Sequence, residues 1–357
     1  MGFSMGEFMH SRTPDLSNRR SFLQRLGVLV AGSQALVRGG SAHADDAPPT
    51  PPPSAAWPAM QYRTLGRTGF RASRLIFGCG ATLYSERADA LLETALSAGI
   101  NVFDVGYSGY YNKAEVHLAP FLKRHRKDVF LISKAEVDLA AGPDESIPPP
   151  RAYEAARLWG ERLDGSLREL GVEQVDAYYL MAAYNPSIVA SDELRRAFER
   201  AKQAGKVRFF GLSTHQNADR VLEAAIETGA YDLAMLGVTP AGWYEASNWT
   251  KRGIRPGSPT LAELQPLLGR ARAVGMGLIG MKAGRFLDDR GLFTRNRDKA
   301  FDAHYGERLR AAALSPFQKS YAFVLQSGLD AVNADMQSLA HLHANHVAAA
   351  TSSQYLA

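Results

Sequence analysis

Cysteine is almost absent, since Cys79 is the only one among 357 residues. That excludes an intramolecular disulfide and a cysteine-based metal cluster, so stability must come from packing. No Gly-x-Gly-x-x-Gly follows a strand-like run, which argues against a Rossmann dinucleotide domain. Histidine is poorly placed for a metal, because His341, His343 and His346 fall together on one expected helix without a coherent set of strand-end partners. No metal site is expected. Apolar runs long enough to span a bilayer are also lacking, and the longest candidate, from Leu26 to about Leu36, is too short.

That short run has a distinctive setting. Asn18-Arg19-Arg20-Ser21-Phe22-Leu23 precedes it and Ala42-His43-Ala44 follows, a pattern that reads as a twin-arginine export signal over residues 1–44. Residues 45–59 are too rich in proline for helix or sheet and suit an extended linker. The packed domain is therefore expected over residues 60–357. The reading implies a periplasmic or otherwise exported protein, with the twin-arginine translocase as a partner during export and no stable membrane anchor once the signal is cleaved. Without residues 1–44 the formal charge falls from +5 to +2, so the basic balance does not point to nucleic acid or to a membrane surface.

From residue 73 onward, short β-branched or aromatic runs alternate with amphipathic stretches. Strands are expected near Arg74–Phe77, Asn101–Asp104, Val129–Lys134, Ala177–Leu180, Val207–Ser213, Leu233–Gly237, Leu278–Met281 and Ala331–Asn333. Helices are expected near 86–98, 113–125, 151–170, 191–204, 217–228, 259–274, 315–327 and 337–349. Eight strand–helix units in about 290 residues predict a single-domain α/β fold, a (β/α)8 TIM barrel whose chemistry gathers at the carboxyl ends of its strands.

Several of those strand ends carry a recognisable order of residues. Tyr62-Arg63-Thr64-Leu65-Gly66 with Leu75-Ile76-Phe77-Gly78, Ala98-Gly99-Ile100-Asn101-Val102-Phe103-Asp104, Leu163-Asp164-Gly165-Ser166-Leu167, and Gly205-Lys206-Val207-Arg208-Phe209-Phe210-Gly211-Leu212-Ser213 together resemble the aldo-keto reductase superfamily. The resemblance runs over nearly all of residues 61–350. It implies an oxidoreductase that reduces an aldehyde or ketone with a nicotinamide cofactor, NADP(H) by family habit with NAD(H) left open. The partner is then a small-molecule carbonyl substrate.

The resemblance assigns roles to particular positions. Asp104 and Lys134 would form a buried cluster with a tyrosine, the ammonium favouring ionisation of a phenol that otherwise titrates near about 10. Either residue alone could equally make a structural ion pair. The family's usual tyrosine position holds Gly109, which leaves Tyr110 as the first candidate, Tyr111 open and Tyr107 more distant. The usual histidine is replaced by Met181, whose thioether cannot donate a hydrogen bond. His215 could reach the same space or merely shape the cofactor groove. For the cofactor the resemblance implies Ser213 and Thr214 at the carboxamide, Met235 in place of a glutamine, Lys282, Gly284 and Arg285 at the pyrophosphate, and Asn345 at the adenosine end, with no lysine or arginine for a 2′-phosphate. Tyr178, Tyr184, Trp243 and Tyr244 suggest an aromatic-lined mouth. Because Met181, Met235 and Ala344 remove polar contacts, a non-catalytic barrel binding a nucleotide or small ligand stands as the rival reading.

Overall fold

The computed structural model describes residues 57–246, 252–288 and 297–355. All of these belong to one unit, Thr50–Ala357. The expected export signal lies outside the described residues, as does the linker before Trp57.

The alternating pattern folds as its period dictates. After a hairpin of β1 (Tyr62–Thr64) and β2 (Arg71–Ser73) come eight parallel strands: β3 (Leu75–Gly78), β4 (Val102–Asp104), β5 (Phe130–Ala135), β6 (Val175–Leu180), β7 (Val207–Thr214), β8 (Leu233–Thr239), β11 (Gly277–Met281) and β12 (Ala331–Asp335). Each pairs with the next, and β12 pairs with β3, for example Val332 opposite Leu75, so the barrel closes. Helices return the chain between strands. Asp192–Gln203 shows why they form: Ser191 caps Leu194 N–H at 3.3 Å, acids open the first turn, bases close the last, and Leu194, Ala197, Phe198 and Ala201 bury one face.

Side-chain parity then decides what faces inward. Ile76, Val102, Phe130, Ile132, Ala177, Tyr179, Leu233, Met235, Ile279 and Ala331 fill the barrel interior. Their neighbours Phe77, Phe103, Leu131, Tyr178, Phe210 and Leu278 pack outward into a larger cluster under the helices. Tyr178 therefore lies in this outer layer, bonded to Ser166 Oγ at 3.1 Å, and Trp243 is wholly buried; neither lines a mouth.

The hairpin stoppers the amino-terminal end. Leu65 and Ala72 join the interior cluster, with Phe70 packed against it. Carboxylates at the strand entries add a second restraint: Asp176, Asp232 and Asp330 accept the N–H groups of Leu131, Phe210 and Leu278, each at 2.8 Å. Arginines cover these acids, Arg126 on Asp176 at 2.9 Å, Arg67 on Asp232 at 2.6 Å and Arg63 on Asp330 at 3.1 Å. At the opposite end β8 runs on into β9 (Gly242–Ala246), which pairs antiparallel with β10 (Arg252–Ile254), a hairpin that the sequence pattern does not predict. Of the three late histidines, His343 and His346 ring-pack on Trp57 at 5.0 and 4.9 Å, and His341 is exposed.

The stopper depends on one glycine. Gly66 has φ +46°, and a Cβ there would sit 2.3 Å from Gly277 N and 2.4 Å from Gly275 O. Gly69, at φ +69°, has nothing within 4 Å. Gly69→Ala is expected to cost about 1 to 2 kcal/mol from the left-handed conformation alone, whereas Gly66→Ala must also push backbone from backbone and should cost clearly more. Urea unfolding of both variants checks this, and equal losses would refute the close apposition.

Candidate active site

The same parity that fills the barrel builds its mouth. Two residues beyond Val102, Ile132 and Ala331 on their strands stand Asp104, Lys134 and Asn333, so all three project toward the axis. Lys134 Nζ donates to Asp104 Oδ2 at 2.6 Å and to Val105 O at 2.7 Å. Asn333 Nδ2 donates to the same Asp104 oxygen at 2.6 Å and lies 3.3 Å from Met235 Sδ. Burial pushes the Asp104 carboxyl up, and Lys134 and the Asn333 amide pull it back. Asp104 Oδ1 and Asn333 Oδ1 are buried without a hydrogen-bond partner.

Asn333 is a site residue that the motif comparison passes over. A polar side chain two positions after an inward alanine, in the same register as Asp104 and Lys134 at their strand ends, was the available signal.

Of the candidate tyrosines, the structure brings Tyr111 to this cluster. Lys134 Nζ lies 5.4 Å from the Tyr111 ring centroid. The ring is held edge-on between two glycines: a Cβ at Gly80 would meet it at 2.2 Å, and one at Gly106 at 2.7 Å. Any larger residue at either position would displace it. Tyr110 packs against Tyr111 with centroids 4.7 Å apart, and Tyr107 lies under the Arg162 guanidinium at 4.6 Å. All three phenols are raised, chiefly by burial, Tyr107 and Tyr110 to about 12 and Tyr111 well above its ordinary value.

Met181 follows β6 in the inward register and is buried, its N–H bonded to Ala135 O at 2.8 Å. His215 follows β7, and the site of a Cβ on Gly237 lies 2.9 Å from its own Cβ. Burial and then Lys282 lower its imidazole to about 4, so it is neutral near pH 7, with Nδ1 buried and unpartnered.

The expected nucleotide contacts divide. Ser213 is buried and inward, accepting the Ala182 N–H at 3.3 Å and leaving its own proton available. Thr214 is turned away, its hydroxyl donating to Gln216 O at 2.9 Å. Met235 cannot hold a carboxamide and instead faces Asn333. Lys282, exposed and left-handed at φ +66°, stands just past β11, and exposed Arg285 lies 3.4 Å from Asp288. Gly284 is small for another reason than ligand approach: the Phe317 ring would lie 2.7 Å from its Cβ. Asn345 is buried on the closing helix, Leu339–Thr351. The donor set still suits a dinucleotide, because two cations edge the rim and the buried Asn333 Oδ1 and His215 Nδ1 lack partners within the protein.

Behind the cluster sits a fully buried acid. Glu115 Oε1 accepts from Ser133 Oγ at 2.6 Å, and Ser133 Oγ accepts the Lys134 N–H at 2.7 Å. Burial, reinforced by Glu169 and opposed by Ser133, Ser166 and Lys134, pushes its carboxyl to about 7. A carboxyl raised by folding contributes most below its unfolded value near 4.5 and loses that contribution as pH rises through about 7. The loss is on the order of 3 kcal/mol. Glu115→Gln should therefore raise the unfolding midpoint at pH 8 and change it little at pH 5; an unchanged pH slope in thermal melts would place the titration elsewhere.

Residues 75–240, the first six barrel strands, match the family described as Aldo/keto reductase family. The chain is 30% identical over 166 residues to L-glyceraldehyde 3-phosphate reductase of Escherichia coli, covering 44% of this chain and 46% of that protein. It is 27% identical over 182 residues to a rice (Oryza sativa) protein described as "Probable voltage-gated potassium channel subunit beta", covering 49% of this chain and 52% of that one. The chain thus spans about half the length of these curated relatives. A solved aldo-keto reductase from Bacillus halodurans, in its holo form, superposes with a TM-score of 0.59 at 21% identity, over 81% of this chain and 90% of that one, and shares the fold.

Proposed function

We propose that this barrel is an aldo-keto reductase that reduces a small carbonyl compound with a nicotinamide nucleotide. The observation that carries the reading is the caged Tyr111 beside Lys134, itself anchored on Asp104 at the carboxyl mouth. Tyr111 takes the role of proton donor. When bound, the nicotinamide supplies the two electrons.

The electrostatics favour one direction. Burial, then Tyr110, Asp104, Asp335 and Glu136, keep the proton on the Tyr111 oxygen near neutral pH. An alkoxide forming from a carbonyl is a far stronger base than a phenolate, so the phenol gives up its proton readily to it. Taking a proton from an alcohol would require the phenolate, which those same neighbours disfavour. Lys134, with one ammonium proton left after Asp104 and Val105, offsets the charge that Tyr111 carries after transfer.

Met181 leaves the carbonyl oxygen without the donor that other barrels of this kind place after the fourth parallel strand. One such donor is worth about 3 kcal/mol, or roughly 100-fold in rate. Neutral His215, whose Nδ1 has no protein partner, is the candidate replacement for that donor. Ser213 would orient the carboxamide, and Lys282 and Arg285 would meet the diphosphate. The amino-terminal pattern supports export by the twin-arginine translocase and a periplasmic location, so a nucleotide bound before export would travel inside the folded barrel.

Titration of the purified protein with NADH and NADPH, followed by nicotinamide fluorescence, tests the proposal. No binding at millimolar concentration overturns it, and binding without turnover of any aldehyde or ketone panel leaves a nucleotide-binding module. Tyr111→Phe should lower kcat by about 100-fold or more, the upper range for general acid catalysis, while Tyr110→Phe should leave most of it. Met181→His should raise kcat with KM less affected; no gain would mean that another group already polarises the carbonyl.

A further inference from the structure

The rim at which the dinucleotide would lie is asymmetric in charge, and the asymmetry bears on which dinucleotide fits. We infer, resting on the reading above, that the site selects NAD(H) over NADP(H), through the carboxylate of Asp335 and a last strand and helix that carry no lysine or arginine.

The path of the ligand follows from the order of the strands. Ser213 ends β7 and Lys282 follows β11, which is paired on its far side with β12. A molecule with its carboxamide at Ser213 and its diphosphate at Lys282 and Arg285 reaches β12 next. Phosphate sites of (β/α)8 barrels commonly fall at the loops after the seventh and eighth parallel strands, here β11 and β12. The adenosine ribose is therefore brought to the end of β12 and the start of the helix Leu339–Thr351.

Asp335 is the last residue of β12 and is exposed. It sits opposite Gly78 of β3 in register. Its charge is felt on both sides, by Lys282 and by Tyr110 and Tyr111. From Ala331 to Tyr355 the sequence contains neither lysine nor arginine. Of the histidines there, His346 Nε2 lies 2.7 Å from Pro58 O and both His343 and His346 pack on Trp57, which leaves the exposed His341 as the one imidazole facing solvent at the helix start. At the helix start, Ser338 Oγ already accepts the His341 N–H at 3.2 Å. On the neighbouring loop Arg285 is paired with Asp288.

A ribose 2′-hydroxyl suits these groups, since a carboxylate accepts its proton. A 2′-phosphate does not. It would bring about two negative charges beside Asp335 with no lysine or arginine on β12 or its helix to meet them.

Binding titrations separate this inference from the activity on which it rests. NADH is expected to bind the purified protein at least ten-fold more tightly than NADPH, with the same order for the oxidised pair. Asp335→Asn should narrow the gap, chiefly by tightening NADPH. Asp335→Lys should reverse the order and make NADPH binding more salt-dependent. Tighter binding of NADPH by the unaltered protein, or an unchanged gap in both variants, overturns the selection by Asp335 while leaving the reductase reading intact. Failure of both nucleotides to bind removes both readings.

Discussion

Everything at the mouth of this barrel hangs on the buried contact between Lys134 and Asp104. Two ions taken out of water carry a large desolvation cost, and a pair survives only when further hydrogen bonds complete it. Val105 O and the Asn333 amide do so here, from β4 and from the far side of the closure at β12. The Asn333 bond therefore reaches Asp104 from a strand that lies near β4 only because the barrel closes through β3. Without closure Asn333 would have no route to Asp104, and Asp104 would lack its second donor.

The pair also fixes where the phenol must go. Lys134 has its stem along the Gly106 side of the tyrosine cage and its ammonium held by Asp104, so the ring has one slot. Glycine on both edges makes that slot, and this is a steric use of glycine, since neither Gly80 nor Gly106 has a positive φ. Glu115 supports the arrangement from behind through Ser133, which ties the helix after the tyrosine loop to the strand carrying Lys134. Rigid elements thus hold Asp104, Lys134 and Tyr111 in place.

The barrel itself was plain in the sequence, because strands and helices differ in period and each expected strand falls within two residues of the observed one. Asp104 and Lys134 could be read for the same reason, as polar residues ending apolar strands. Spacing with one extra residue in the loop makes Tyr110 the first candidate and leaves Tyr111 open, whereas the ring that lies beside Lys134, between Gly80 and Gly106, is that of Tyr111. Parity explains the other gaps. Tyr178 and Tyr179 are adjacent aromatics, yet one faces the helices and the other the barrel axis, and Asn333 shows its importance only once β12 is set beside β3. The return of β8 into β9 lay hidden because its turn residues, Pro240 and Ala241, read equally well as the start of a loop.

The stopper of Leu65, Phe70 and Ala72 gives the barrel a closed floor. Above that floor Ile76, Val102, Phe130 and Tyr179 fill the interior, so the barrel is plugged along its length. A solute can therefore approach Asp104 and Lys134 from the carboxyl rim alone.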